Sequence, residues 1–172
     1  MRLFSYQLFM IPRCGSCSKM GMRILIADDE KKFTELLAIM VCNAGHEVTG
    51  VVTSGGLGAM KAYTECAPDV LLMDYMMPNY NGVTAARQIL SKDPGARVLL
   101  ITGISDTRDL QIAASNAGAM GVLQKAFSQS ELEDLLAVLP FASQHRRGSI
   151  PDSPALPAVP PPTGDKVVHS KS

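Results

Sequence analysis

The polar residues Asp28, Asp29, Asp74, Thr102 and Lys125 stand just past the ends of short apolar runs, and their types suit one kind of chemistry. Asp28 and Asp29 follow the run 22–27, Asp74 follows 70–73, Thr102 follows 98–101, and Gln124 leads into Lys125 after 121–123. Runs of this length, rich in Val, Ile and Leu, read as buried parallel strands. In an open parallel sheet, the carboxyl ends of the strands line the crevice where ligands bind. Three carboxylates, a hydroxyl and an amine would then face one crevice. Singly, each has an ordinary explanation: Asp28 or Asp29 as a helix cap, Asp74 in a turn toward Pro78, Thr102 as a loop hydroxyl, Lys125 as a solvated charge. Together they demand more, because carboxylates about 4 Å apart repel by roughly 4 kcal/mol per pair at an effective dielectric near 20. A hard divalent cation with oxygen ligands, Mg2+ foremost, offsets that repulsion.

The elements that would carry these residues follow from two alternating periods. A further apolar run, 48–52, completes a set of strands with 22–27, 70–73, 98–101 and 121–123. Between the first two, Phe33, Leu36, Leu37, Met40, Val41 and Ala44 form the stripe of an amphipathic helix closed by Gly45. The second helix has the weakest pattern, since Gly55, Gly56 and Gly58 each cost about 1 kcal/mol relative to Ala inside a helix. The third is expected to begin near Asn81 and Gly82 and to run through Val83, Ala86 and Leu90. Asp106 is expected to cap the fourth, which runs toward Gly118. Ser128 and Glu131 form a capping box for the last, whose stripe is Leu132, Leu135, Leu136 and Leu139, with Pro140 as its stop. Strands alternating with helices in this way predict a doubly wound α/β domain around a parallel sheet.

Composition narrows the function. The chain has 172 residues, 47% of them hydrophobic, enough for one core plus tails. Its 16 Lys and Arg balance 16 Asp and Glu, so there is no basic excess for gripping nucleic acid or an anionic membrane directly. Nowhere does an apolar run reach the roughly 18 residues that a membrane span requires. Seven of the eleven prolines fall in residues 140–172, which are expected to be a disordered tail too short for a DNA-binding module. Residues 1–21 read as an irregular extension: a short apolar stretch is present, but Arg13 and Lys19 flank it and no small-residue cleavage site follows. Cys42 and Cys66 fall within helical patterns as small buried hydrophobes. Cys14 and Cys17 lack the second pair that a zinc site needs, so cysteine usage fits the reducing cytoplasm.

Residues 22–139 resemble the receiver domain of response regulators, the phospho-acceptor module of two-component signalling. The resemblance is carried by Ile24-Leu25-Ile26-Ala27-Asp28-Asp29-Glu30, by Val70-Leu71-Leu72-Met73-Asp74-Tyr75-Met76-Met77-Pro78 with Asn81-Gly82, by Ile101-Thr102-Gly103, and by Gly118-Ala119 leading to Gln124-Lys125. It implies a flavodoxin-like, five-stranded sheet of order 2-1-3-4-5 with helices on both faces, in which the first and third strands are neighbours and their aspartates converge. It also implies roles. Asp74 resembles the carboxylate that accepts a phosphoryl group from a phosphohistidine. Asp29 resembles a direct Mg2+ ligand and Asp28 one acting through water, with Asp74 and the main-chain carbonyl of Met76 completing the protein ligands. Lys125 would pair with a phosphoryl oxygen, and Thr102 would swing to hydrogen-bond the bound group.

The implied partners are a histidine kinase or histidine phosphotransfer protein and a downstream protein target, with no direct nucleic acid or membrane contact. The implied activity is signalling, with the domain assisting its own phosphorylation and dephosphorylation, and not turnover of a substrate. The surface offered to targets would include Arg108, Gln111, Glu131 and Glu133. Two residues depart from the family pattern. Ala126 replaces the usual Pro after the Lys, so the Lys125–Ala126 peptide is either trans with the loop repositioned or cis at roughly 2.5 to 4 kcal/mol. Val122 replaces the aromatic whose rotation accompanies the movement of Thr102. Two other readings fit parts of the pattern: a phosphorylation-independent pseudo-receiver that binds protein, and a Mg2+-dependent aspartate-nucleophile phosphatase, although the latter resembles Asp-x-Asp after the first strand and here the pair is adjacent.

Overall fold

A computed structural model describes residues 21–139. The expectations for residues 1–20 and 140–172, including the Cys14–Cys17 pair and Pro140 as a helix stop, lie outside the described residues. Strands and helices alternate as β1 (Arg23–Ala27), α1 (Lys31–Asn43), β2 (Glu47–Val52), α2 (Gly56–Cys66), β3 (Val70–Asp74), α3 (Gly82–Lys92), β4 (Val98–Thr102), α4 (Arg108–Ala117), β5 (Gly121–Gln124) and α5 (Gln129–Val138). The strands form one parallel sheet in the order β2-β1-β3-β4-β5, as the resemblance implies.

Because side chains alternate along a strand, each central strand feeds two cores. Leu25, Leu71, Met73 and Leu100 point to one face, where Ala59, Ala86 and Ala114 of α2, α3 and α4 cover them. Ile24, Ile26, Leu72 and Ile101 point to the other, against Leu37 and Val41 of α1 and Leu132 and Leu136 of α5. Helices thus lie on both faces. The wholly buried character expected of all the strands holds for β3 and β4 and for β1 beyond Arg23, but β2 and β5 are largely half-buried. Among the described residues they are the sheet's edges, with a strand neighbour on one side only. Among the described residues no helix is long and apolar enough to cross a membrane.

Local signals place the helix ends with small offsets. Asn81 caps α3 by accepting from the Thr84 N–H at 2.9 Å, and Ser128 and Glu131 form the reciprocal box at the start of α5. Asp106 does not occupy the cap of α4. Thr107 does, without a side-chain cap bond, while the Asp106 carboxylate accepts from the Arg108 N–H at 3.3 Å. Likewise α1 is capped by Ala44, and Gly45 follows it at φ +81°, where the chain turns left-handed. Neither Asp28 nor Asp29 caps α1, whose N-cap is Glu30. Cys42 and Cys66 are half-buried, short of the burial expected for core residues.

Candidate functional site

The strand order brings the carboxyl ends of β1 and β3 together, and the acidic residues with them. Asp28 and Asp74 are almost fully buried, at 1% and 2% exposure, whereas Asp29 is exposed. Each of the three offers a carboxylate oxygen within 4.8 Å of the others. Asp74 is the last residue of β3, and its register partner on β4 is Ile101. The chain then turns at once: the Gly82 N–H donates to the Tyr75 carbonyl at 2.9 Å. That fold-back requires glycine, because a Cβ at Gly82 would overlap the main-chain oxygen of Asp74. A similar need explains the glycines that weaken α2 in sequence, since a Cβ at Gly56 would meet the backbone of Tyr80 in the β3–α3 loop.

Lys125 enters from the far side of β4. Its backbone N–H donates to the Thr102 carbonyl at 2.6 Å, which ties the β5–α5 loop to the end of β4. Its ammonium lies 2.8 Å from Asp28 Oδ2, 3.3 Å from Asp74 Oδ1 and 3.7 Å from Glu30 Oε2. Asp28 is further held through Oδ1, which accepts from the Glu30 N–H at 2.8 Å. Oδ2 is buried and meets the Lys125 ammonium as a close ion pair.

The charges perturb one another in a readable way. Burial, reinforced by Asp28 and, less strongly, Asp29, pushes the Asp74 carboxyl up from its ordinary 3.8 to about 6, although Lys125 pulls against this. For Lys125, burial opposes the charged ammonium, but Asp28 and Asp74 outweigh it and hold its pKa above the ordinary lysine value. One lysine does not neutralise three carboxylates. The three converging carboxylates and the raised Asp74 fit a site that takes a further cation, and an all-oxygen donor set suits Mg2+.

Thr102 ends β4 opposite Gln124, is fully buried, and its hydroxyl accepts from the Ile104 N–H at 3.1 Å. It therefore sits at the neighbouring strand end with its oxygen engaged within its own loop. Met76 lies two residues past Asp74 and is 62% exposed. The peptide before Ala126 is trans, as are the others among the described residues, and Ala126 adopts φ +92°. Val122 pairs with Leu100 and packs from the edge onto the α2–α3–α4 core.

Two neighbours of Lys125 were not among the candidates picked from sequence. Glu30, 63% exposed on its side chain, stands 3.7 Å from the ammonium. Phe33, expected only as the first member of the α1 stripe, lies under it: Nζ is 4.6 Å from the ring centroid. Position alone was the available signal, since both follow the Asp28-Asp29 pair within one helical turn.

The family model described as the response regulator receiver domain matches residues 24–137. The chemotaxis protein CheY of Thermotoga maritima is 34% identical over 117 residues, covering 68% of this chain and 96% of that protein. The DNA-binding response regulator MtrA of Mycolicibacterium paratuberculosis is 33% identical over 113 residues, 66% of this chain, which span only 48% of the relative. Among solved structures, a response regulator receiver domain protein from Clostridium thermocellum superposes with a TM-score of 0.62 at 26% identity, covering 67% of this chain and 91% of that one.

Proposed function

The chain belongs to the response regulator receiver domain family, and from that premise we propose that it takes a phosphoryl group from a phosphohistidine onto Asp74, within a two-component system or phosphorelay, and signals through protein contacts. The observation that carries this reading is the meeting of Asp28, Asp29 and Asp74 within 4.8 Å, with Lys125 3.3 Å from Asp74, at the carboxyl end of the sheet. In this reading an Asp74 carboxylate oxygen attacks phosphorus. A P–O bond forms as the N–P bond of the donor breaks, and the imidazole leaves with the electron pair. Lys125 binds a phosphoryl oxygen with the charge that its neighbours keep on it. Asp28, Asp29, Asp74 and the main-chain carbonyl of Met76 would hold Mg2+, whose contribution is to draw charge from the transferring phosphoryl oxygens.

Once the group is on Asp74, Thr102 exchanges its bond with the Ile104 N–H for one to the phosphoryl, which carries the β4–α4 loop with it. Val122, lacking a ring, makes the family's aromatic coupling unavailable here. The donor is a histidine kinase or histidine phosphotransfer protein, and the target is a protein that reads the α4–β5–α5 face, where Arg108, Gln111, Glu131 and Glu133 are exposed. Residues 22–139 act as the receiver and residues 1–21 and 140–172 as flanking segments, in the cytoplasm, without direct contact to nucleic acid or membrane. The domain is a signalling acceptor that assists its own phosphorylation and dephosphorylation.

Incubation with acetyl phosphate and Mg2+ followed by intact-mass measurement tests the reading. One added phosphoryl group, lost in Asp74→Asn, is expected. No mass increase in the wild-type protein would leave a phosphorylation-independent binding module in its place.

A further inference from the structure

The β5–α5 loop carries Lys125 into the site on an unusual support. Ala126, next to the lysine, holds φ +92°, a region that L residues adopt only at a cost. An alanine has no ring to restrict its backbone, so what holds the loop must come from outside it. The residues on either side of Ala126 both meet one side chain of α1. The Lys125 ammonium sits over the Phe33 ring, 4.6 Å from its centroid, and the Phe127 ring stands edge-on to the same ring at 6.1 Å and 84°. Phe33 and Phe127 in turn pack against the core between the sheet and α1 and α5.

We infer that Phe33 is a positioning residue for Lys125, its ring anchoring the loop at two points across Ala126 and holding the ammonium beside Asp74. The inference rests on the reading of Asp74 and Lys125 given above and names the group that sets the lysine. The three carboxylates around Lys125, at 2.8, 3.3 and 3.7 Å, attract it but also compete for it with an incoming phosphoryl group. An aromatic face attracts a cation through its quadrupole and adds no net negative charge to a site already rich in carboxylates. The ring therefore places the lysine without neutralising it.

Phe33→Leu removes the face and keeps an apolar side chain; Phe33→Tyr keeps the face. In the protein carrying isotope-labelled lysine, without added metal, the ε-methylene protons of Lys125 are expected to lie upfield under the ring current in wild type and in Phe33→Tyr, and to return to the ordinary lysine position in Phe33→Leu. Phosphorylation by acetyl phosphate with Mg2+ is expected to slow roughly three- to fivefold in Phe33→Leu and to stay within about twofold in Phe33→Tyr, the size expected for one cation–ring contact. Should Phe33→Leu melt below the assay temperature, Phe33→Met, unbranched and similar in volume, replaces it. A folded ring-free variant phosphorylated at the wild-type rate overturns the inference, as does an unchanged Lys125 shift or an equal loss in Phe33→Tyr. A wild-type protein that takes no phosphoryl group sinks the functional reading instead, and the lysine shift still decides whether the ring sets the ammonium.

Discussion

Asp74→Asn is expected to stabilise the metal-free protein at neutral pH while abolishing phosphorylation. The Asp74 carboxyl titrates near 6 in the fold against an ordinary 3.8. At about 1.4 kcal/mol for each tenfold change in ionisation constant, its charged form costs the folded state about 3 kcal/mol. The sign follows from proton uptake. Below pH 4 the group is protonated whether the chain is folded or not, and the cost is absent. Between pH 4 and 6 the unfolded chain ionises first and stability falls as pH rises; above pH 6 the whole cost is present. Asparagine keeps the shape and removes the charge, so the variant's gain is about 2 to 3 kcal/mol at pH 7.5 and fades toward pH 4. Urea unfolding in EDTA at both pH values, followed by circular dichroism, measures it. Adding Mg2+ should narrow the gap, because a cation bound to the folded carboxylates stabilises wild type selectively. A variant no more stable than wild type at pH 7.5 in EDTA, or one whose gain grows on acidification, would refute the electrostatic account of this site.

Asp29→Ala should weaken Mg2+ binding more than Asp28→Ala, because Asp28 is already engaged by the Glu30 N–H and Lys125 while Asp29 is exposed at the crevice; equal losses by calorimetric titration would undermine that division. Met76→Asn should shorten the lifetime of the phosphorylated form several-fold, roughly the scale on which a positioned polar group helps an attacking water. Met76 and Ile104, two residues after Asp74 and Thr102 and 62% and 39% exposed, offer that water only apolar side chains, and an unchanged decay rate after donor removal with Mg2+ present would count against this. Gly82→Ala should cost roughly 1 to 3 kcal/mol in urea unfolding, since its Cβ would overlap the Asp74 carbonyl oxygen; a neutral result would show that the β3–α3 turn can shift without cost.

Much of the fold can be read in one dimension. The stripe from Phe33 to Ala44 and the runs 70–73 and 98–101 each specify a buried face through spacing alone, and Asn81 and Ser128 mark helix starts by the bonds their side chains make to the next turn. The acidic residues were likewise visible, because each apolar strand stops at a polar residue. These signals are local, since burial period and capping are set within a few residues of chain. Local patterns alone do not show which elements meet; the strand order was available only through the resemblance of residues 22–139 to the receiver family. Asp28 and Lys125 are far apart along the chain, yet they lie 2.8 Å from each other only because β1 and β3 are neighbours and β4 carries the β5–α5 loop to the same edge. The same tertiary placement decided that Ala126 follows a trans peptide with φ +92°, that β2 and β5 are half-exposed edges, and that Phe33 lies under a lysine as well as in a core. Side-chain periodicity records how much of a residue is covered, but the identity of what covers it is a property of strand order, and strand order is settled by contacts between segments that no local window contains.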